Sequence, residues 1–432
     1  MTDTIFALSS GAVPAGIAVI RISGPHAFAA VTTLAGDLPP PRRASLRTLR
    51  HAGEPLDRAL VLVFPGPATA TGEDLAELHL HGGRAVVRAV EAALAVVPGL
   101  RGAEPGEFTR RALIHGRIDL TEAEGLGDLL AAETEMQRRT ALRAAEGGVR
   151  SRIETWATRT LRLSALVEAM LDHGDEDDVA GEEGDILATV RHDAVALAAE
   201  IEATIAQPPV ERIRDGIRIV LAGAPNAGKS TLLNALAGRE AAIVSPLAGT
   251  TRDRIEVPVM RDGIAYLLTD TAGLHAAPAD IVEEIGIARA RSAIESADLI
   301  LWLDDAPLPA ELAKVPHLLI HPRADAPGRD AGTAGRLAVS AETGQGVEAL
   351  WQAVAGLSTV LLPAPDSVAF NIRQRALAER AAVALRAAAA QNELLLAAEE
   401  LRAALRAFHR ITGAADVEAM LDALFGRFCI GK

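Results

Sequence analysis

Hydrophobic and polar positions follow different periods in different parts of the chain. In residues 1–118 short apolar runs, such as Ile17 to Ile22 and Leu60 to Phe64, are separated by clusters of glycine, proline and serine residues. Runs of this length that end in turn residues are typical of strands. We therefore predict strands with interspersed helices, an α+β domain, for this segment.

Two later segments have the period of a helix. Between Leu120 and Ala206 apolar side chains recur at helical spacing, for example at Ile153, Trp156, Leu163, Leu166, Val167 and Met170. Residues 371–412 show the same pattern, with Leu377, Leu385, Leu394, Leu401, Leu405 and Phe408. We predict that the two segments pack together as one all-helical domain, in which the acidic stretch from Asp172 to Asp185 forms a loop.

A third pattern, alternating strands and helices, fills residues 216–360 and predicts a parallel α/β sheet. Breaks that contain proline precede and follow it. The chain is therefore predicted to be a multidomain α/β protein, in which the parallel-sheet domain is inserted into the helical one. The expected segments are 1–118, 119–210, 211–365 and 366–432.

Length and charge limit the classes of function. With 432 residues the chain exceeds the usual size of one core, and its net charge of −14 offers nucleic acid no overall attraction, so an RNA partner would need a local basic patch. The single cysteine, Cys429, excludes an intrachain disulfide and fits a reducing compartment. Since we find neither a basic leader nor an apolar stretch of the length that a bilayer requires, we expect a cytoplasmic protein without a membrane anchor.

Residues 223–230, Gly-Ala-Pro-Asn-Ala-Gly-Lys-Ser, form a phosphate-binding motif between an apolar run and a helix-like run. The glycines let backbone N–H groups surround a phosphate at a helix N-terminus, Lys229 adds a cation for the β and γ oxygens, and the Ser230 hydroxyl can bind Mg²⁺. The predicted nucleotide contacts here are Asn226, Ala227, Gly228, Lys229, Ser230 and Thr231.

Further elements follow in the order that a GTPase needs. Asp270 ends an apolar strand, where it can hold the Mg²⁺ shell, and the amide of Gly273 can meet the γ-phosphate. Gly249, Thr250 and Thr251 lie at the position of switch I, and we favour Thr251 over Thr250 as the magnesium ligand. We expect Asp270 and the lysine of the phosphate loop to be catalytic.

Guanine recognition is expected from Asp325, whose carboxylate can accept from the two N–H donors of guanine, with Arg323 stacked on the base. Pro322 stands where most GTPases have an asparagine, and it has no side-chain hydrogen bonds to give. We therefore predict that guanine selectivity is kept and that affinity is weakened. Ser340 and Ala341 should supply backbone amides to the base.

The water-positioning group is not where Ras-like enzymes have it. The residue after Gly273 is Leu274 rather than glutamine. Another group must orient the attacking water, and an added positive charge would help the reaction. Glu283 and Glu284 are the candidates, although for each of them surface solvation is the simpler interpretation.

Several motifs in the N-terminal segment add to this set. They are Arg21-Ile22-Ser23-Gly24, Phe64-Pro65-Gly66-Pro67, Thr71-Gly72-Glu73-Asp74, His81-Gly82-Gly83, Pro105-Gly106-Glu107-Phe108-Thr109 and Ile118-Asp119-Leu120. Together with the GTPase motifs and the closing Cys429-Ile430-Gly431-Lys432, they resemble the bacterial tRNA-modification GTPases of the MnmE or TrmE family. The resemblance covers nearly the whole chain.

The resemblance implies an N-terminal domain that binds a tetrahydrofolate derivative and forms a homodimer, a central helical domain and an inserted Ras-like G domain. Such proteins act with an MnmG-like FAD protein on C5 of the wobble uridine of certain tRNAs, where an aminomethyl or carboxymethylaminomethyl group is added. The implied cofactors are GTP, Mg²⁺, K⁺ and the folate. By the same resemblance Glu283 orients the water, and the potassium ligands are Asn226, Ser245, Leu247 and Thr250.

Candidates for other sites are less specific. Arg21, Glu77 and Arg117 are our candidates for folate, and each is equally well interpreted as part of a surface ion pair. His79 and His81 lie on one strand face but have no evident third ligand for zinc. A thiol of Cys429 could assist at the tRNA base, although a terminal cysteine more often has no catalytic duty.

Two rival functions remain. One is a ribosome-assembly GTPase that binds RNA as a scaffold, against which no Gly-x-x-Gly loop of a KH module follows residue 360. The other is a folate aminotransfer enzyme with a vestigial G domain, which the intact Lys229, Ser230 and Asp270 disfavour.

Overall fold

The computed structural model describes residues 3–173, 180–224, 226–238, 256–271, 294–327, 329, 335–364, 367–414, 424–426, 428 and 430–431, without the side chains of 172–186. The chain divides into two compact units. The first comprises Met1–Leu130, Ala144–Thr158 and Leu405–Lys432, and the second comprises Ala131–Arg143 and Arg159–Ala404.

A six-stranded sheet forms the centre of the first unit. Its strands are β1 (Thr4–Leu8), β2 (Ile17–Ser23), β3 (Ser45–His51), β4 (Glu54–Phe64), β5 (Leu75–His81) and β6 (Leu100–Gly102), in the order β3-β4-β5-β2-β1-β6. Only β1 and β6 pair in parallel. Helices α1 (Ala27–Ala35) and α2 (Arg84–Ala95) contribute to its core. Because side chains alternate across a strand, Ala18, Ile20 and Ile22 of β2 are buried in this core.

Six helices follow the first sheet in the described part of the chain: α3 (Glu107–Ile114), α4 (Leu120–Ala131), α5 (Glu135–Ala145), α6 (Gly148–His173), α7 (Ala180–Ile205) and α8 (Glu211–Arg214). Helix α6 continues through Asp172 and α7 already begins at Ala180. The expectation that all of 172–185 is a loop was therefore wrong, since Ala, Glu and Asp residues after Ala180 extend the helix.

The second sheet has the order β12-β11-β10-β7-β9-β8. Its strands are β7 (Ile217–Ala222), β8 (Glu256–Arg261), β9 (Ile264–Asp270), β10 (Leu299–Leu303), β11 (His317–Pro322) and β12 (Leu337–Val339), and only β8 and β9 pair antiparallel. Helices α9 (Lys229–Ala237) and α10 (Val347–Leu361) pack against it. Strand β7 lies between β9 and β10, so residues after its carboxyl end face both neighbours. The predicted parallel-sheet domain is confirmed.

Two helices close the second helical segment, α11 (Ile372–Ala390) and α12 (Leu394–Thr412). The helical pattern over 371–412 is therefore divided between two helices. Arg191 of α7 donates to the carbonyl of Gln391 at 3.0 Å and to Oδ1 of Asn392 at 2.9 Å, which satisfies a carbonyl group at the end of α11. Helix α7 packs along α11, so the two segments of the helical domain are in contact.

Candidate nucleotide-binding site

The phosphate-binding motif forms the turn between β7 and α9. Gly223 has φ of 143°, and a Cβ there would lie 2.3 Å from the carbonyl oxygen of Leu303 on β10. Gly228 precedes α9 with φ of 88°, and Asn226 has φ of 61°. Only glycine fits the first position, because the backbone passes so close to a neighbouring strand. Because the loop leads directly into α9, the N–H groups of the first turn of that helix face the space where a phosphate binds.

Lys229 is held across this loop. Its Nζ donates to the carbonyl oxygens of Gly223, at 3.0 Å, and Ala224, at 2.8 Å, and the residue is only 5% exposed. Burial lowers the pKa of Lys229, against the opposing charges of Asp270 and Asp304. Both acceptors are neutral carbonyl oxygens, which do not cancel the positive charge that phosphate oxygens require.

Ser230 and Asp270 meet beside the loop. The hydroxyl of Ser230 donates to Oδ2 of Asp270, although forty positions separate them. Asp270 is buried at the end of β9, where its pairing with Leu221 sets it level with the start of the loop. A hydroxyl and a carboxylate are hard oxygen donors of the kind that Mg²⁺ prefers, so this pair fits a magnesium ion.

The base-recognition loops lie at the same edge of the sheet, after β11 and β12. The side chain of Arg323 reaches the phosphate loop, with Nε 3.8 Å from where a Cβ of Gly228 would be. The N–H of Ala324 donates to the carbonyl of Val339 at 3.2 Å, which ties the Asp325 loop to the Ser340 loop.

Asp325 is exposed. Ser340 is fully buried, and its Oγ accepts from the N–H of Thr343 at 3.1 Å while Ala341 follows it, partly buried. Parallel strand order therefore brings Lys229, Asp270 and both base loops to one edge, as the sequence analysis predicts for a nucleotide site. Thr231 and Ala227 flank the loop in the same turn.

Several predicted site residues lie outside the described residues. They are Ser245, Leu247, Gly249, Thr250, Thr251, Gly273, Glu283, Glu284 and Cys429.

In the first unit Arg21 and Glu77 form an ion pair with 2.9 Å between Nη2 and Oε1. Nε2 of His79 lies 3.2 Å from the second oxygen of Glu77. Burial alone would raise the pKa of Glu77, but the hydrogen bond and charge of Arg21, with those of His79, outweigh it and lower the pKa. The structure thus brings two of the three folate candidates together, whereas Arg117 is exposed and its side chain is not among the recorded contacts of this pair.

The two histidines do not share a partner. Nδ1 of His81 lies 2.7 Å from Asp57, whereas His79 faces Glu77. Within the described part of the chain no three His, Cys, Asp or Glu side chains are grouped as metal ligands.

An ion cluster that sequence reasoning missed explains two of the N-terminal motifs. Arg111 is fully buried, and it donates to Glu73, Glu107 and the carboxylate of Asp3 at 3.0 Å each. Glu107 also pairs with Arg101. Three carboxylates around one buried guanidinium make these residues a structural cluster, and the only sequence sign of it was glutamate in both motifs.

The C-terminal tail belongs to the first unit and packs within it. The ring of Phe428 is 8% exposed, Ile430 bridges to Pro105, and a Cβ on Gly431 would lie 2.1 Å from the carbonyl oxygen of Leu8. Gly431 allows the tail to approach β1 at backbone distance, whereas Ile430 is 59% exposed.

One negative result concerns membranes. Among the helices in the described ranges, none is both long and apolar enough to cross a bilayer.

Family models match almost the entire chain. "GTP-binding protein TrmE N-terminus" matches residues 4–117, and "MnmE helical domain" matches residues 120–429. The chain is 53% identical to the tRNA modification GTPase MnmE of Novosphingobium aromaticivorans and 53% identical to that of Erythrobacter litoralis, with 100% of each chain covered. It is 55% identical to that of Rhizorhabdus wittichii, covering 100% of this chain and 97% of the relative. With these matches and the G-domain site, the chain belongs to the MnmE family of tRNA modification GTPases.

Proposed function

We propose that this protein is a potassium-dependent GTPase that acts on tRNA together with a flavin-containing partner. The product is an aminomethyl or carboxymethylaminomethyl group on C5 of the wobble uridine, with a tetrahydrofolate derivative as the one-carbon donor. The observation that carries the proposal is the meeting of Lys229, Ser230 and Asp270 at the carboxyl edge of the second sheet. The full-length similarity to tRNA modification GTPases supports the choice of substrate.

Each residue of the phosphate loop has a distinct task. Lys229 exchanges the carbonyls of Gly223 and Ala224 for phosphate oxygens, and the amides at the start of α9 bind the β-phosphate. Ser230 and Asp270, with Thr251, hold Mg²⁺, which neutralises charge on the β and γ oxygens when it is bound. Positioning and charge stabilisation supply most of the catalysis of phosphoryl transfer. The fold contributes by holding Lys229, Ser230 and Asp270 rigidly.

Potassium takes the place of an arginine finger in this proposal. When bound, the ion supplies a positive charge beside the phosphates. Asn226 is exposed beside the loop, where its side chain is open to an ion and to a second G domain. Ser245, Leu247 and Thr250 complete the set, and Glu283 orients the attacking water. Hydrolysis then reports that two G domains have met.

The N-terminal unit supplies the folate site and the homodimer contact. Arg21 and Glu77 are already paired, and such a pair can present a guanidinium and a carboxylate to the donors and acceptors of a pterin ring. Arg117 would meet the anionic glutamate tail. We assign the reaction to the cytoplasm because its substrate is tRNA.

Mass spectrometry of the wobble uridine tests the proposal. In tRNA from a deletion strain the modification should be lost, and a plasmid copy of the unaltered gene should restore it where an Asp270→Asn copy does not. Normal modification with a defect in ribosomal subunit maturation would contradict the proposal and support the ribosome-assembly alternative. Equal rates of GTP hydrolysis in sodium and potassium would contradict the potassium assignment alone.

A further inference from the structure

Five arginines lie on, or directly before, the hairpin at one edge of the first sheet. Strand β3 is the edge strand, and β4 pairs with it through the turn at 52–53. The arginines are Arg42, Arg43, Arg47, Arg50 and Arg58. All are exposed except Arg47, which is half-buried.

No ion pair with a carboxylate is recorded for these arginines among the described residues, whereas buried and exposed arginines elsewhere form such pairs, as Arg386 does with Glu202. The hydrogen bonds of the cluster go instead to backbone carbonyls, for example from Arg50 to Gly53 at 3.2 Å. Asp57, between them in sequence, is already bound to the N–H and ring of His81. The hairpin therefore keeps a net positive charge in a chain whose net charge is −14.

Protection of the sheet edge does not account for the cluster. Charged side chains on an edge strand prevent it from pairing with another chain, and charge of either sign serves this purpose. Here five arginines outnumber the two carboxylates, Glu54 and Asp57. Arg58 lies on the interior strand β4, and Arg42 and Arg43 precede the hairpin. The guanidinium of Arg42 is further held over the ring of Phe64, with 5.7 Å to its centroid. Guanidinium groups without a carboxylate partner are suited to phosphate oxygens.

We propose that this arginine hairpin, residues 42–58, binds the sugar–phosphate backbone of the tRNA substrate. The inference rests on the proposed function and adds the surface by which the RNA is held. An acidic protein repels RNA at long range, so a local basic surface is needed to orient the approach.

Salt-dependent binding of purified tRNA to the full-length protein tests the proposal. The combined variant Arg47→Gln, Arg50→Gln and Arg58→Gln should lose about tenfold or more in affinity near physiological salt, and its slope of log K against log salt should fall by about 2 to 3, since each phosphate contact contributes about 0.7–0.9. The matched control removes three arginines from exposed ion pairs, Arg138→Gln, Arg139→Gln and Arg402→Gln. It should bind tRNA as the unaltered protein does.

Three outcomes would overturn the assignment. One is unchanged tRNA affinity in the hairpin variant, and another is an equal loss in the control. The third is loss of binding to the flavin partner, or of self-association, with RNA binding intact, which would make the hairpin a protein interface. Basal GTP hydrolysis of the hairpin variant should be unchanged, which shows that it is folded. A failure of the proposed function would be seen in a different measurement, as a normally modified wobble uridine in the deletion strain.

A second, independent observation concerns His321, which directly precedes Pro322. Its ring is buried, with Nδ1 3.1 Å from Oδ1 of Asp305 and Nε2 3.0 Å from the carbonyl oxygen of Arg329. The side chain of Arg329 donates to the other oxygen of Asp305 at 2.7 Å. This closed set of contacts joins the two ends of the segment 321–329, which carries Arg323 and Asp325.

Pro322 stands at the position where most GTPases have an asparagine, so these contacts of His321 can hold the segment where that side chain would. Proline has no side-chain group to tie the base-recognition loop to its surroundings. The backbone around Asp305, the partner of His321, is itself held in place. Arg336 donates to the carbonyls of Asp304, Asp305 and Ala306. We infer that His321 is a positioning residue that holds the guanine-recognition loop, through Asp305 and Arg329.

Comparison of GDP with IDP, which lacks the 2-amino group that Asp325 should accept from, tests this role. In His321→Gln and in Asp305→Asn the preference for GDP over IDP should shrink by about three- to tenfold, the equivalent of a hydrogen bond. The rate of GTP hydrolysis at saturation should change less than twofold. The control is His317→Gln at the start of β11, where the ring contacts only the carbonyl of Val315 among recorded contacts.

A purely structural role would weaken GDP and IDP equally, and that result would overturn the inference. The same change in His317→Gln would also overturn it. If Asp325→Asn itself leaves the base preference unaltered, the assignment of the guanine site fails first, which separates the two failures. Unchanged melting temperatures would show that the variants fold.

Discussion

The Ser230 hydroxyl donates a hydrogen bond to the carboxylate of Asp270, which joins the first turn of α9 to the end of β9. Parallel pairing of β7 with β9 sets Leu221 opposite Asp270, so the carboxylate reaches the helix that follows β7. The two side chains thus form one oxygen-donor pair beside the phosphate loop, held by the sheet rather than by a flexible segment.

Removal of either partner should abolish hydrolysis while the protein remains folded. We expect Ser230→Ala and Asp270→Asn each to reduce kcat by about 100-fold or more, because a stabilising contact to the transition state is lost. The dependence of the rate on magnesium concentration should also shift to higher concentrations. As a control, Thr359→Ala on the exposed side of α10 should leave the rate unchanged. Full activity of Asp270→Asn at low magnesium would contradict the assignment.

Base selectivity should depend on Asp325. In Asp325→Asn the amide offers one acceptor and one donor group to the two donors of guanine, so we expect GDP affinity to fall by about 100-fold or more and XDP to become the better ligand. Titration with fluorescent nucleotides measures both. Glu342→Gln, an exposed carboxylate in the neighbouring loop, is the matched control. An unchanged preference for GDP would exclude Asp325 from base recognition.

Potassium stimulation should depend on Asn226. Asn226→Ala removes an oxygen ligand but leaves the backbone amides and Lys229 in place, so the stimulated rate should drop to the level measured in sodium while the Kd for GDP changes little. Rates in potassium and sodium at equal ionic strength provide the measurement. Asn234→Ala, an exposed change on the same helix α9, should retain stimulation.

Stability of the first unit should depend on Arg111. Arg111→Met leaves Glu73 and Glu107 without their buried counter-charge, which should lower the free energy of unfolding by about 3–5 kcal/mol. Urea denaturation followed by circular dichroism measures this loss. Arg88→Met, an exposed arginine of α2, should change stability by less than about 0.5 kcal/mol.

The same cluster predicts a loss of stability in acid. Burial alone would raise the pKa of Glu107, but hydrogen bonds from Arg101, the backbone of Glu104 and Arg111 outweigh it, so the pKa is lowered from its ordinary value of 4.5. The folded state therefore binds the proton less tightly than the unfolded state, and the stabilisation is present above that value and lost as pH falls below it.

Urea midpoints between about pH 6 and pH 3 should fall for the unaltered protein, and Glu107→Gln should show a shallower fall. Glu104→Gln, whose side chain is exposed, should follow the unaltered protein. Parallel pH curves for Glu107→Gln and the unaltered protein would show that another group controls the acid transition.

Local sequence was sufficient for the phosphate loop. Gly223, Gly228, Lys229 and Ser230 lie within eight consecutive residues, and the requirement of each follows from backbone geometry or charge. The parallel sheet was equally predictable, because strands buried on both faces are near-continuous apolar runs, as in residues 219–222 of β7 and in β10. The divisions at 118, 210 and 365 stay predictions.

Helix ends were harder to predict. The series of apolar residues from Leu377 to Phe408 has one period, yet α11 ends at Ala390, where Arg191 of a helix distant in sequence binds Gln391. A partner so far along the chain leaves no sign in the local pattern.

The sequence by itself determined the chemistry of the phosphate loop, since residues 223–230 are contiguous and their spacing is set by covalent geometry. Only the tertiary structure decided which distant charges meet: Ser230 with Asp270, Arg111 with Glu73, and His321 with Asp305. Such pairs depend on strand register and on packing between elements, and neither is encoded in a period of two or 3.6 residues. For the same reason the arginines of 42–58 were visible in the sequence, but their lack of carboxylate partners was not.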